Sequence, residues 1–406
     1  MADELMSYPT WKLALPQLPP RSRLYHLCPL GLGTPLVESL TSYLVRLAQA
    51  HCVSVGQLLR HEIAPASDEL TFQSGSLSSW FKSFYTINGL DHFARNFART
   101  LQRLTLHSQL QYLTMLTWAQ VLPTKRLLRP SRAWCPACYQ SWSETGQPLY
   151  DPLLFSLRVV TICPVHHQHL VSQCPYLDCQ RPVPFLAARI QPGFCPCCNR
   201  SLALFPSELQ APTQDELLWQ KWVGLTVGQL LSAAPTLSTP PSKDRIATTL
   251  SAYATQLTGG TTKYLAHKLD LPARTLQCWR RGTRLPHLTS LLQLSYRLGT
   301  SPLDFLTQDP LVINPTPFTF LQDNPFLQAS RRNIALLKPH QVRTALETAL
   351  TSEEPPPSFT QMVRRLGYQY PSLLRRQFPE LCRAISARYR FYQQGTGSKT
   401  SPGPEP

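Results

Sequence analysis

The chain has 406 residues, 43% of them hydrophobic, which is enough for two or three domains with separate cores. Lys and Arg outnumber Asp and Glu by 39 to 23, and the excess is uneven: 20 basic and 9 acidic side chains follow residue 244, against 19 and 14 before it. No apolar run reaches the length of a membrane span, and Met1 to Met6 lacks a secretory pattern. These readings exclude a membrane protein and favour a reducing compartment and a polyanionic partner, most often nucleic acid.

Residues 1–23 are Pro-rich and read as an extended arm. Helical periodicity starts near Pro35, with Leu40, Tyr43, Leu44, Leu47 and Ala48 on one face. A second helix carries Phe93, Phe97, Leu101 and Leu104, and Leu110 to Val121 predicts a third, ended by Pro123. Short hairpins and turns are expected from there to about Leu204, followed by a helix over Leu217 to Leu231. Ala233 to Lys243 has linker composition and marks a domain boundary. The expected fold is mainly α. It comprises an N-terminal helical domain (1–130), a tandem zinc-knuckle region with its following helix (131–232) and two C-terminal helix-turn-helix modules (245–308 and 326–394). A disordered tail (395–406) ends the chain.

Eight of the twelve cysteines fall between Arg132 and Ser201. Cys135-Pro-Ala-Cys138 and Cys163-Pro-Val-His166 make one four-ligand set. A thiolate pair on a tight turn supplies half of a tetrahedral zinc site and a second pair closes it. Cys174, Cys179 and Cys198 supply three ligands of a second set. The fourth is Cys195 or Cys197, and Cys195 has the usual x2 spacing to Cys198. Two structural zinc ions are expected. Each set is already four-coordinate, no His-Glu-x-x-His is present and acidic residues are dispersed, so no catalytic set is assigned and the chain is not expected to be an enzyme. Cys28, Cys52, Cys278 and Cys382 read as small core hydrophobes.

From Tyr264 to Gly282, a short helix ending at Leu269, a turn at Asp270–Leu271 and a helix from Pro272 form a helix-turn-helix pattern. Leu265, Leu269, Leu271, Leu276 and Trp279 would be its core. Arg274, Gln277 and Arg281, with Arg284 beyond the turn, would face DNA, where Arg and Gln suit guanine and adenine edges or phosphates. This stretch resembles the lambda-repressor-like (XRE) family, departing from it where Asp270 replaces the frequent turn glycine. A fainter copy follows: Phe359 to Leu366 as a helix, Gly367 as its cap, and Pro371 to Phe378 as a recognition-type helix presenting Ser372, Arg375 and Arg376.

The whole order resembles the TniQ/TnsD family of transposon target-site selectors. The likeness rests on Glu38-Ser-Leu-Thr-Ser-Tyr-Leu-Val-Arg-Leu-Ala48, on Trp134-Cys-Pro-Ala-Cys138, and on Val159 to His166 followed by Leu170. The tryptophan that the family usually carries upstream of Cys-x2-His is absent, with Leu154 and Phe155 in that region. The resemblance implies a non-catalytic protein that binds a target and recruits the AAA+ ATPase TnsC through its N-terminal part. Double-stranded DNA is then the partner of site-reading members, and a guide-RNA CRISPR effector complex that of adaptor members. It also implies a cytoplasmic bacterial protein, associated with the nucleoid when bound. An ordinary zinc-containing transcription regulator shares the same zinc and helix-turn-helix chemistry.

Overall fold

A computed structural model describes residues 21–67, 84–206, 211–308, 339–351, 356–366, 374–375 and 377–396. The chain forms two compact units, Met1–Gln322 and Asp323–Pro406. Among the described residues the structure is mainly helical, and strand pairing is limited to isolated antiparallel bridges.

The centre of the first unit is α1 (Leu40–Ala50). Ser39 caps it by accepting from the Ser42 N–H, and the chain leaves it through Cys52 in the left-handed region (φ 53°). The five expected apolar positions are buried, but so are Thr41, Ser42 and Val45. A helix covered on nearly every side belongs in the middle of a core rather than at its edge. A short helical turn, Val55–Leu58, follows behind a Ser54/Gln57 capping box. α2 (His92–Thr105) is capped by Asp91 and buries Phe97, Leu101 and Leu104; Phe93 stacks on Phe84, and Phe97 meets both rings edge-on.

The helix expected from Leu110 to Val121 does not form. Its place is taken by two 3-10 turns, Leu110–Leu113 and Leu116–Trp118. Thr114 breaks it: its backbone is extended, and its hydroxyl both donates to the Gln111 carbonyl (2.6 Å) and accepts from the Leu116 N–H (3.1 Å). A hydroxyl competing in this way offers the backbone an alternative to helical bonds.

α3 (Pro136–Glu144) opens the cysteine region, where bridges at Trp134–Val171, Ile162–His169, Gln173–Pro182 and Phe194–Ser201 tie the expected hairpins. α4 (Gln214–Ala233) closes that region, with Thr213 as N-cap and Asp215 and Glu216 favourably placed in its first turn. Two glycines let it approach closely. A Cβ on Gly224 would stand 3.0 Å from Pro164, and one on Gly228 would stand 2.8 Å from Pro35.

Five helices follow: α5 (Arg245–Thr258), α6 (Thr262–Lys268), α7 (Ala273–Arg280), α8 (Leu288–Arg297) and α9 (Pro302–Thr307). The Pro-rich stretch from Ala233 to Lys243 lies within the first unit. The apolar core runs from Val227, Leu230 and Leu231 directly to Ile246 and Leu250, and Trp219 and Trp222 pack edge-on against Tyr296 of α8. In the second unit, α10 (Pro339–Thr351), α11 (Phe359–Arg365) and α12 (Pro379–Thr396) surround a small core of Val342, Leu346, Met362, Leu374, Cys382 and Ile385.

Of the four scattered cysteines only Cys382 is a buried core residue. Cys28 and Cys52 are exposed and Cys278 is half-buried, because the first lies in an irregular segment, the second in the turn after α1 and the third on the flank of α7. Among the described residues no helix is long and apolar enough to cross a membrane.

Candidate metal centres and recognition face

Three of the four cysteine knuckles close in the same way. After the second ligand comes a residue in the left-handed region: His167 (φ 57°), Gln180 (φ 43°) or Asn199 (φ 56°). Each donates its N–H to the carbonyl four residues back, on Cys163, Tyr176 and Cys195 respectively. The chain then reverses, and Cys163, Cys174 and Cys195 bond to the returning segment at Gln168, Arg181 and Arg200. The fourth knuckle differs. Cys135 is the N-cap of α3, with Pro136 at its first position, so helix geometry presents Cys138 beside it.

These turns gather Cys135, Cys138, Cys163 and His166 in one cluster and Cys174, Cys179, Cys195 and Cys198 in another, with all ligand atoms of each within 4.8 Å of one another. Cys195, not Cys197, stands in the second cluster, and Cys197 is exposed. The donor sets fit zinc. Zinc–sulfur bonds of about 2.3 Å in a tetrahedron imply sulfur–sulfur edges of about 3.8 Å, and sulfur–nitrogen edges of about 3.6 Å. The Cys138–Cys163 edge is 3.7 Å, Cys174–Cys198 is 3.6 Å and Cys179–Cys195 is 3.9 Å. His166 Nδ1 stands 3.6, 3.3 and 3.8 Å from the sulfurs of Cys135, Cys138 and Cys163. These separations are far beyond a disulfide bond. Burial, together with the neighbouring sulfurs, holds the Cys174 thiol above its ordinary range. Zinc would supply the positive charge that lets such packed sulfurs ionise together.

A buried polar network not anticipated from the sequence ties the first cluster to α1. Glu38 lies at the foot of α1 with its carboxylate fully buried. It accepts from Arg46 (2.6 Å), the Ser42 hydroxyl (2.9 Å) and the Leu30 N–H (3.2 Å). Burial nonetheless pushes its pKa up to about 7, against the charge of Arg46 and these hydrogen bonds. The Ser42 hydroxyl also accepts from the Asp151 N–H (2.9 Å). The Asp151 carboxylate accepts from Tyr139 of α3 and faces the fully buried guanidinium of Arg132 at 3.4 Å. The signal that could have revealed it was the run of Glu and Ser on a helix otherwise patterned for burial, and the arginine just ahead of Trp134.

α6 and α7 meet through a tight turn with Leu265, Leu269, Leu276 and Trp279 buried and Leu271 partly so. Asp270 takes the left-handed conformation (φ 48°) that glycine would adopt freely, with Arg297 at 3.5 Å from its carboxylate. Pro272 caps α7 rather than beginning it. Arg274, Gln277, Arg281 and Arg284 are all exposed, and Cys278 lies half-buried between them. Arg280 is turned inward, donating to Ser251 (3.2 Å) and to the Gly260 carbonyl (2.9 Å). In the second unit Arg375 is exposed and lies 4.8 Å over the Phe359 ring. Ser372, Arg376 and Gly367 fall outside the described residues.

Among known proteins, no curated sequence matches the chain. The TniQ family model matches residues 29–170, a span that holds α1, the Glu38 network and every ligand of the first cluster, and stops short of Cys174. Residues 29–170 thus form a TniQ domain, which associates the chain with transposition.

Proposed function

We propose that this protein selects target sites for transposition, reading duplex DNA with its C-terminal helices and recruiting the AAA+ regulator TnsC through its N-terminal part. One observation carries the reading: α7 is two-faced. Its inner side is committed to the core through Leu276 and Trp279, while Arg274 and Gln277, with Arg281 and Arg284 just beyond, are exposed and make no side-chain hydrogen bond to other described residues. Long cationic and amide side chains at helical spacing suit base edges and phosphates in a major groove.

The second unit supports the same reading. Arg383, Arg390 and Phe391 of α12 are exposed, Phe391 by 79%, a mix of cation and aromatic surface suited to nucleic acid. The two zinc ions are then structural. They fix the knuckles between α1 and α4 and so set the shape of the surface offered to the ATPase.

The test is a footprint of the full chain on genomic fragments across a salt series, alone and with TnsC. A discrete protected site, and TnsC retained on it, supports the proposal. Weak, steeply salt-dependent binding with no footprint overturns it in favour of an adaptor docking on an RNA-guided CRISPR effector.

A further inference from the structure

We propose that a second basic site, the cleft at Lys125, Arg126 and Arg158, grips the phosphodiester backbone of the DNA duplex that α7 reads. The inference rests on the DNA-reading proposal above and extends it to residues outside the C-terminal helices.

The cleft encloses about 460 Å³. It is built by a short antiparallel pairing: Leu128 bridges Leu157, the Arg129 N–H donates to the Ser156 carbonyl (3.0 Å), and the Arg158 N–H donates to the Leu127 carbonyl (2.9 Å). That register brings the turn carrying Lys125 and Arg126 to the same end as Arg158. All three side chains are exposed. The carboxylate that also lines the cleft, Asp91, is engaged in capping α2 through the Ala94 N–H (3.0 Å).

One further observation points to an anion. Arg126 sits in the left-handed region (φ 61°), where glycine would be unstrained. An arginine held there against its own preference is the sort of local strain that accompanies binding sites.

The position of the cleft identifies the anion. Burial, then the charges of Arg126 and Lys125, hold the His287 imidazole below its ordinary range. The two cations therefore stand beside the first turn of α8, three residues beyond Arg284. A duplex lying on the face of α7 would continue its backbone toward them, and closely spaced phosphates match several cations better than a single small anion does.

The experiment compares wild type with the K125A/R126A/R158A variant in anisotropy titrations on a footprinted duplex, at several salt concentrations. The expected result is an affinity loss of about tenfold or more, and a log–log salt slope shallower by roughly two to three, at about 0.9 for each phosphate no longer neutralised. The footprint should not move. K125R/R126K/R158K, which keeps the charges, should restore the slope. An unchanged slope and affinity in a folded alanine variant overturns the inference while leaving the α7 reading intact. No duplex binding by wild type overturns both. Saturable binding of inorganic phosphate or a nucleoside triphosphate, with duplex affinity unaffected by the triple change, also overturns it and leaves a small-anion site. Should the alanine variant misfold, K125E alone, in an exposed turn, must still lower the slope.

Discussion

The two cysteine clusters share a turn geometry but not a setting. Cys135, Cys138 and Cys163 are buried in the main core of the first unit, and α4 clamps their loop: Gly224 meets Pro164, and Gln220 bonds both the Thr161 N–H (2.9 Å) and the Val159 carbonyl (3.2 Å). The second cluster has a smaller core of its own around Trp134, Tyr139, Val171, Val183 and Leu202, and its Cys179 and Cys198 are only half-buried. An exposed Arg200–Asp178 pair, with Arg200 3.9 Å over Tyr176, helps to close it. The same donor chemistry thus serves one site that belongs to the fold and another that is a local staple. The family model ends between them.

The sharpest way to break this contrast is to remove one ligand from each cluster. Cys163→Ser should prevent folding of the first unit, since structural zinc contributes on the order of 10 kcal/mol. Zinc content and circular dichroism check this, and a folded variant with two zinc ions would abolish the distinction. Cys198→Ser should release one zinc equivalent and leave residues 172–205 protease-sensitive, with most of the helical signal intact.

Smaller effects sharpen the comparison. Gly228→Ala should cost about 1–3 kcal/mol in unfolding experiments by forcing α4 from Pro35, where a Cβ would stand at 2.8 Å. Gly224→Ala should cost less, because its looser contact with Pro164 is offset by about 1 kcal/mol of helix propensity.

Glu38 gives a pH signature. Its folded pKa, about 7, lies above its value in the unfolded chain. The folded state therefore holds the proton more tightly, and this group's contribution is fully present below about pH 4.5 and lost as pH rises toward 7. The difference in stability between wild type and Glu38→Gln should change by about 1–3 kcal/mol across that window. A flat difference would mean the carboxylate stays ionised. Smallest in stability is Arg274→Ala/Gln277→Ala, expected within about 0.5 kcal/mol of wild type. It should still weaken sequence-specific binding by about 1–3 kcal/mol for each base edge left unread.

What was legible in the sequence was whatever rests on local spacing. The two cysteine clusters follow from knuckle spacing, and the faces of α1, α2 and α7 from helical period. What escaped depends on contacts distant along the chain. Thr114 cuts an apolar run that looks helical because its hydroxyl serves the backbone. Ala233 to Lys243 has linker composition, yet Trp219, Trp222 and Tyr296 bring its two sides together. Glu38, Arg132 and Asp151 look like surface charges until the fold closes over them.

The aromatic cluster on α4 has a practical consequence. Trp219 and Trp222 stack at 5.2 Å with their planes 22° apart, and Tyr296 of α8 meets both edge-on. Two indoles so close couple their electronic transitions, which gives a signed couplet in the ultraviolet dichroism that neither ring produces alone. The molecule thus carries an intrinsic optical gauge on the helix that clamps the first cysteine cluster, readable without a label while a chelator or a DNA duplex is added.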